Sequence, residues 1–276
     1  MKAFVPSHIT GFFAAKRQEN PLLSGSIGCG LNLALGATTI VEPSDKMQIF
    51  LNGELSDAPV SRYVIDRLAK TPVNVRTKLD MPLGSGFGAS GAGALGCAYA
   101  LNAHFDLGMM ANQVAAVAHS AEVVNRTGLG DVIAQNTGGL VVRLEAGAPG
   151  IGRVDRIPVP AINVNFVVRG PISTREVLSD EKAMNDINSA GKACLKELLA
   201  KPTLEEFMRL SRRFTSKIGL TSNWALDAIE TVEAAGGMAS MIMLGDSVFA
   251  IGGDEALSEF GKVGSTFVSH RGANLD

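Results

Sequence analysis

The stretch MPLGSGFGASGAGALG, from Met81 to Gly96, is the part of the sequence that decides the fold. It contains six glycines and two serines. The other residues after the proline are alanine, leucine and phenylalanine. Glycine in this number costs backbone entropy on folding. The stretch therefore indicates a place where the main chain comes very close to another group, just before a helix of small residues that we predict from Ala89 to His104.

Two known phosphate-binding patterns fit the stretch poorly. A Walker loop, GxxxxGK[ST], agrees with the spacing from Gly86 to Gly91, but Ala92 stands where the lysine must be, which excludes this pattern. A dinucleotide fingerprint, GxGxxG, agrees with Gly86, Gly88 and Gly91, but it requires a strand after the helix. A second predicted helix, from Met110 to Asn125, follows instead, so a dinucleotide site is disfavoured.

A third interpretation is an anion site at the start of the helix. The first N–H groups of a helix lack partners and the helix dipole is positive there, so phosphate groups bind well. Ser85 and Ser90 would add hydroxyl contacts. The structural alternative is a glycine-rich helix that packs closely against a sheet, and the spacing alone leaves both interpretations open.

Composition limits the class of protein. The chain has 276 residues, 46% of them hydrophobic and 19% charged, which is typical of a globular protein. The net charge of -2 argues against a broad basic face, so we do not expect nucleic acid as a partner. The chain has no run of about 18 apolar residues for a membrane span, and Pro6, His8 and Thr10 interrupt a signal-peptide core. We expect a cytoplasmic protein with buried free thiols at Cys29, Cys97 and Cys194.

Strand and helix patterns alternate in both halves, which predicts an α+β fold with two domains. The turn-rich segment GAPGIGRVDRIPVP, residues 147–160, is the candidate boundary, and it gives domains 1–158 and 159–276. In the second half, MASMIML and SVFAIG are predicted as paired strands with Gly245 and Asp246 as their hairpin turn.

The glycine-rich stretch, from Pro82 to Ala92, resembles the second signature of the GHMP small-molecule kinases, which include galactokinase, homoserine kinase and mevalonate kinase. Two further segments resemble the other two sequence signatures of the family. They are PSHITGFF, from Pro6 to Phe13, followed by GSIGCGLNL, and GGMASMIMLG from Gly236, which has fewer glycines than the family pattern. The likeness extends over nearly the whole chain.

This resemblance implies a fold and an activity. The fold is an N-terminal α/β domain that carries the glycine-rich phosphate loop, with a smaller ferredoxin-like C-terminal domain, and the active site lies between them. The activity is phosphorylation of a small hydroxy acid by ATP with Mg2+. The implied ATP-binding residues are Pro82, Gly84, Ser85, Gly86, Phe87, Gly88, Ala89 and Ser90.

Phosphoryl transfer also needs a metal ligand and a group that handles the attacking hydroxyl. Glu122 borders the apolar stripe of its predicted helix, and an ordinary surface pair with Arg126 is the alternative. The resemblance implies that Glu122 and Ser90 hold the metal. It also implies that Asp131, in the segment TGLGD, is the catalytic group for the hydroxyl, whereas a helix cap is the structural alternative.

A small hydroxy acid requires a cation for its carboxylate. Arg143, in the predicted strand GLVVRLE, is the candidate, and an edge-strand arginine that faces water is the alternative. Phe12 and Phe13 could form an apolar wall or belong to the core. The polar candidates for the same pocket are His8, Ser26, His119 and Thr174, and Thr174 could instead cap the helix that begins near Arg175.

Two rival functions remain open at this stage. One is a GHMP kinase with a different acceptor, and the other is a non-catalytic nucleotide-binding protein on the same fold. The sequence also leaves the oligomeric state open, a homodimer included.

Overall fold

A computed structural model describes residues 1–172 and 181–276 of the chain. Within these ranges the strands are β1 (Lys2–Lys16), β2 (Gly25–Pro43), β3 (Gln48–Leu51), β4 (Glu54–Leu55), β5 (Val73–Leu79), β6 (Leu140–Glu145), β7 (Arg153–Ile157), β8 (Asn163–Pro171), β9 (Met238–Met241), β10 (Gly245–Ile251), β11 (Gly264–Phe267) and β12 (Asn274–Leu275). The helices are α1 (Pro59–Leu68), α2 (Ala89–His104), α3 (Ala111–Asn125), α4 (Asp131–Thr137), α5 (Glu181–Ala200), α6 (Leu204–Ile218), α7 (Asn223–Ala234) and α8 (Asp254–Ser258).

The first sheet has the strand order β12-β1-β2-β5-β3-β4, and β6 and β7 extend it from β2. Its pairs are antiparallel except β3 with β5. Helix α2 lies on the sheet, and its small residues permit a close approach. A Cβ at Gly96 would lie 2.8 Å from the Thr39 hydroxyl, so the structural alternative raised for the glycine-rich helix holds for this end of it.

The second sheet has the order β11-β8-β10-β9 and is antiparallel throughout. Helices α5 to α7 connect β8 to β9, and α8 connects β10 to β11, which is the ferredoxin-like arrangement. The chain passes from one sheet to the other between Ile157 and Asn163, and β12 then returns to the first sheet. The α+β fold class is therefore confirmed, whereas a domain boundary at 158/159 stays a prediction.

The N-terminal half of the chain, with the first sheet, and the C-terminal half, with the second sheet, share one core. Strand β1 belongs to the first sheet and also packs against helices of the C-terminal half. Phe12 is fully buried, and its ring centroid lies 6.3 Å from that of Phe207 and 6.4 Å from that of Phe214, both on α6. On α5, a Cβ at Gly191 would overlap the Phe13 carbonyl oxygen, so only glycine permits this helix to pack so closely on β1. These contacts bring the C-terminal half against the strand that carries PSHITGFF.

The predicted bounds of α2 agree with the structure, but the predicted hairpin turn is wrong. Strand β9 already ends at Met241, and Gly245 and Asp246 belong to β10. The turn lies at residues 242–244, where Leu244 has a φ of 65°. Gly245 is required for a different reason, because a Cβ there would overlap the Ser85 backbone.

Two of the compositional predictions have structural counterparts. The three cysteines are free and buried, as predicted. Among the described residues, no helix combines the length and the apolar character that crossing a membrane requires.

Candidate active site

The glycine-rich loop bends sharply before α2. Gly84, Gly86 and Gly88 all have positive φ angles, of 73°, 85° and 65°, which side chains other than glycine rarely adopt. Gly88 is the N-cap of α2, and no side chain caps the helix there. The first N–H groups of α2 are thereby left for a ligand, beside a cavity of about 380 Å³.

The end of the segment that begins at Gly236 packs against the backbone of this loop. A Cβ at Gly86 would lie 2.7 Å from the carbonyl oxygen of Met243, and Gly245 abuts the Ser85 backbone. Met243 also donates its N–H to the Thr10 carbonyl at 3.3 Å, and its neighbour Leu244 lines the cavity with it. The contacts of this segment with the loop are thus backbone packing and an apolar wall, which explains why it needs few glycines.

Glu122 lies under the start of α2 and is 2% exposed. The hydroxyls of Ser90 and Thr127 each donate to its Oε1 at 2.6 Å, while its Oε2 faces the Cα of Gly128 and, across 3.3 Å, the Cβ position of Gly91. Burial raises the pKa of Glu122 to about 7; the two hydrogen bonds act to lower it, and the charge of Asp131 acts to raise it. The alternative of an exposed Glu122–Arg126 pair is wrong.

Asp131 is the first residue of α4 and lines the cavity. Its side chain does not cap the helix, so the structural alternative fails; Gly130 occupies the N-cap position. Oδ1 lies 2.7 Å from Nδ1 of His8, and Oδ2 lies 3.3 Å from the Cβ position of Gly128. Because the Glu122 carboxylate flanks that same glycine, the two acids face one small volume beside the helix start.

Arg143 is 1% exposed and lines the cavity, so it is not an edge-strand arginine facing water. Its Nη1 lies 3.3 Å from Nε2 of His8, and its Nη2 lies 3.5 Å from the Thr10 hydroxyl. Burial lowers the pKa of Arg143, and the charge of Asp131 acts to raise it. Its Nε is buried with no hydrogen-bond partner among the described residues, which leaves this donor for a ligand.

Most of the predicted site residues meet in this cavity. Of the predicted ATP-binding residues, the lining includes Gly84, Gly86, Phe87, Gly88, Ala89 and Ser90. Pro82 and Ser85 are not part of it: Pro82 is exposed, and Ser85 is buried with its hydroxyl directed to the Leu83 carbonyl at 3.4 Å. Of the predicted acceptor residues, Ser26 and Arg143 line the cavity, and Thr174 lies outside the described residues.

The two predicted histidines lie elsewhere. His8 is fully buried behind Asp131 and Arg143 and is not a lining residue. His119 is also buried, and its Nε2 lies 2.9 Å from the Ser24 carbonyl oxygen. Burial lowers the pKa of His119, although its contacts with backbone carbonyls act to raise it. Its observed contact is therefore with the turn that precedes β2, rather than with the cavity.

Several lining residues were missed by sequence reasoning. Arg126 ends α3 in a left-handed conformation, with a φ of 57°, and lies at the rim of the cavity. Thr127 binds Glu122, and Leu129 adds an apolar surface. The short spacing between Glu122 and Asp131 was the available signal, because a loop that links two site acids must itself line the site.

The donor set fits a hard divalent cation. Glu122 and Ser90 present oxygen atoms next to the uncapped start of α2, and Mg2+ prefers such ligands. The described residues contain no group of three or more His, Cys, Asp or Glu side chains suited to a metal. A cation here would draw its other ligands from phosphate and water, as Mg2+ commonly does.

Comparison with known proteins agrees with this geometry. The model of the GHMP kinases N terminal domain matches residues 58–139. A pantoate kinase of Thermococcus kodakarensis is 38% identical over 268 residues, which cover 92% of this chain and 88% of the relative. A pantoate kinase of Methanocaldococcus jannaschii is 36% identical over 261 residues, which cover 93% and 94%.

Solved structures agree as well. One described as a phosphotransferase related to the CoA biosynthesis pathway has a TM-score of 0.89 and 32% identity, with coverage of 100% of this chain and 98% of the other. A homoserine kinase from Cytophaga hutchinsonii has a TM-score of 0.70 at 18% identity, covering 100% and 97%, and shows the same fold. The predicted resemblance is confirmed: this chain belongs to the GHMP kinase family and, within it, to the pantoate kinases.

Proposed function

We propose that the protein transfers the γ-phosphate of ATP to a hydroxyl of pantoate and forms 4-phosphopantoate, as a step of archaeal coenzyme A biosynthesis. One observation carries this proposal. The carboxylates of Glu122 and Asp131 flank Gly128 beside the uncapped start of α2. Asp131 and the buried Arg143 line the cavity, and Glu122 lies directly behind its wall, where it accepts hydrogen bonds from the lining residues Ser90 and Thr127. This arrangement offers groups suited to phosphate, to a cation, to an acceptor hydroxyl and to a carboxylate.

The loop and the helix start would hold the triphosphate. Backbone N–H groups and the helix dipole bind phosphate oxygens at such a terminus. Among the described residues, the cations that line the cavity are Arg126 and Arg143. Since Arg126 is exposed at the rim, we assign it to the phosphates, which lack the lysine of a Walker loop in this chain. Ser90 and Glu122 would hold Mg2+, which neutralises phosphate charge when bound.

Asp131 would act on the acceptor. His8 occupies its Oδ1, so Oδ2 is the oxygen that can accept the hydroxyl proton as the oxygen attacks phosphorus. Oδ2 and Oε2 of Glu122 both lie beside Gly128, so a hydroxyl bound to Oδ2 would lie near the proposed metal ligand. Alignment of the nucleophile and neutralisation of charge then supply most of the rate, and no covalent phosphoenzyme is needed.

Arg143 would bind the carboxylate of pantoate. Its guanidinium is buried with an unpartnered Nε, and a carboxylate is the anion that its planar donors match. Ser26 could bind a hydroxyl, while Phe13 and Leu129 supply the apolar wall that two methyl groups require. His119 would support the pocket through the turn before β2, and a contact from Thr174 stays a prediction.

Incubation with ATP, Mg2+ and pantoate, followed for ADP and for a phosphorylated acid by mass spectrometry, tests the proposal. Homoserine and mevalonate serve as competing acceptors, and reactions without added metal serve as controls. We expect turnover with pantoate far above that with the other acceptors, and none after chelation of the metal. Preferred turnover of another acceptor would favour the rival GHMP kinase, and nucleotide binding without turnover would favour a non-catalytic protein.

A further inference from the structure

His8 is a buried residue whose ring connects the two most important charges of the acceptor site. It lies in β1 and is fully buried, with Nδ1 at 2.7 Å from Asp131 and Nε2 at 3.3 Å from Nη1 of Arg143. It is not a lining residue of the cavity, so a substrate would meet Asp131 and Arg143 before it meets this ring.

The partners of His8 determine its tautomer. A guanidinium only donates hydrogen bonds, so Nε2 of His8 must be the acceptor in the contact with Arg143. The proton of the neutral ring is then on Nδ1, which donates it to Oδ1 of Asp131. Burial lowers the pKa of His8 despite the hydrogen bond and charge of Asp131, which agrees with a neutral imidazole.

The surrounding backbone holds the ring in this orientation. On the neighbouring strand β2, Gly30 lies against the imidazole, and a Cβ there would overlap Nε2 and come within 2.9 Å of Cε1. The backbone N–H of His8 donates to the carbonyl of Phe87 at 3.0 Å. The same residue thus connects the glycine-rich loop, the catalytic aspartate and the buried arginine.

We propose that His8 is a positioning residue that acts through Asp131 and Arg143, rather than a substrate contact. Its neutral Nδ1–H fixes Oδ1 of Asp131 and turns Oδ2 towards the acceptor hydroxyl. Its Nε2 holds Arg143 in the orientation that presents Nε to the carboxylate. This inference rests on the proposed function, because the geometry is interpreted for a hydroxy-acid acceptor.

Among the described residues, the charged groups that act on His8 are Asp131 from α4 and Arg143 from β6. His8 is the neutral residue between this aspartate and this arginine, while the charge of Asp131 also acts on Glu122 of α3. With neither nitrogen free to exchange protons with water, His8 is not an acid or a base in the reaction. Its effect is on geometry and on the orientation of the charges beside it.

Two substitutions separate the hydrogen bond from the presence of a ring. The amide nitrogen of His8→Asn stands where Nδ1 stands and keeps a donor for Asp131, whereas His8→Leu removes it. We expect His8→Leu to lower kcat about 10- to 100-fold, the effect of losing a hydrogen bond to a charged group, with KM for ATP nearly unchanged. His8→Asn should recover most of that loss in kcat, but its KM for pantoate should rise because Arg143 loses its acceptor.

Ser7→Ala is the matched control. Ser7 is also fully buried in β1, its hydroxyl has no hydrogen-bond partner among the described residues, and it lines no part of the cavity. We expect its kinetic constants to equal those of the wild type. If His8→Leu also kept wild-type kcat, or if both His8 variants lost activity only in proportion to a lowered Tm, the positioning role would be overturned.

The tautomer can be measured without any substrate. In the unliganded wild-type protein with 15N-labelled histidine, two-bond 1H–15N correlation spectra should show a neutral ring with Nδ1 protonated, and this signal should be missing from His8→Asn. A ring protonated on Nε2, or on both nitrogens, would overturn the inference. Failure of the wild type to phosphorylate pantoate would instead contradict the proposed function, while the spectrum would still report on the arrangement of His8.

Discussion

At the scale of single residues, surroundings give two similar acids different properties. Glu122 is buried, accepts two hydroxyl hydrogen bonds on one oxygen and has a pKa raised to about 7 by burial. Asp131 lies at the cavity surface, with its side chain 24% exposed and one oxygen held by His8. Glu122 is suited to binding a cation, which would favour its ionised form. Asp131, which is partly exposed to the cavity, is suited to contact with an acceptor molecule that enters and leaves.

Replacement of Asp131 should separate binding from turnover, if it has the proposed role. Asp131→Asn keeps an oxygen that can accept from His8, but removes the proton acceptor. We expect kcat to fall by about 10²- to 10⁴-fold, which is the usual contribution of a general base, while ATP binding measured by calorimetry persists. Asp227→Asn, at an exposed position of α7, is the control. Full activity of Asp131→Asn would show that this carboxylate is not needed.

Glu122 should make the metal-free protein less stable as the pH rises. In the unfolded chain its pKa is 4.5, and in the folded protein it is raised to about 7. Between these two values the unfolded chain has lost the proton of Glu122, whereas the folded protein keeps it. The contribution of Glu122 to the free energy of unfolding is therefore fully present below pH 4.5 and is lost as the pH rises through 7. The full loss is up to about 3 kcal/mol.

The measurement compares the free energies of unfolding of the wild type and Glu122→Gln in chelator across this pH range. We expect the wild type to lose stability relative to the variant as the pH rises. Added Mg2+ should restore the stability of the wild type and leave that of the variant unchanged. A difference that does not change with pH would mean that the buried carboxyl ionises as it does in the unfolded chain.

At the scale of elements, the start of α2 depends on close backbone contacts with distant strands. The segment that precedes β10 lies against the loop at Gly86, and β10 itself begins against Ser85. On the other side, the loop is tied to β1 at Phe87. The positive φ angles of the loop are thus maintained from two directions, which keeps the helix N–H groups directed at the cavity.

Gly245→Ala should weaken nucleotide binding through this contact. Its new Cβ would overlap the Ser85 backbone, which cannot move aside as a flexible side chain would. We expect KM for ATP to rise more than tenfold and the free energy of unfolding to fall by about 1–3 kcal/mol, as overpacking usually costs. Gly170→Ala is the matched control, since Gly170 pairs with Asp246 on the adjacent strand and its Cβ would meet open space. Unchanged ATP kinetics for Gly245→Ala would contradict the supporting role.

At the scale of the whole molecule, the two sheets enclose one site and share one core. The lining of the cavity combines the loop before α2 with Ile172 after β8 and with Met243 and Leu244 before β10. Phe12 and Phe13 of β1 pack against α6, where Phe13 lies 5.9 Å from Phe214 between ring centroids. We therefore expect the halves to be one cooperative unit of folding, although the chain forms two sheets.

Calorimetric unfolding tests this expectation. A single transition should appear, with calorimetric and van't Hoff enthalpies equal, and ATP with Mg2+ should shift it as a whole. Phe12→Ala should lower the free energy of unfolding by about 3–5 kcal/mol, because it empties a fully buried position between the two halves. Two separate transitions in the wild type would show instead that residues 1–158 and 159–276 unfold independently.

The sequence by itself determined the local features of this protein. The glycines before Ala89 and the small residues after it specify a bent loop and a closely packed helix, because glycine conformations and helix periodicity are properties of neighbouring residues. The residues between Glu122 and Asp131 were not predicted to line the site, and the roles of the two acids were implied only by the resemblance. The resemblance of these motifs to a kinase family then indicated the chemistry.

Tertiary structure alone decided which distant groups meet. The contact of His8 with Asp131 spans 123 residues, and that of Arg143 with His8 spans 135, so both depend on strand register and on the pairing of β1, β2 and β6. The same packing directed His119 to a backbone carbonyl and placed Gly245 against the loop, where the sequence had suggested a substrate contact and a turn. Sequence patterns report local conformational preference, whereas these contacts are set by how whole strands and helices pack.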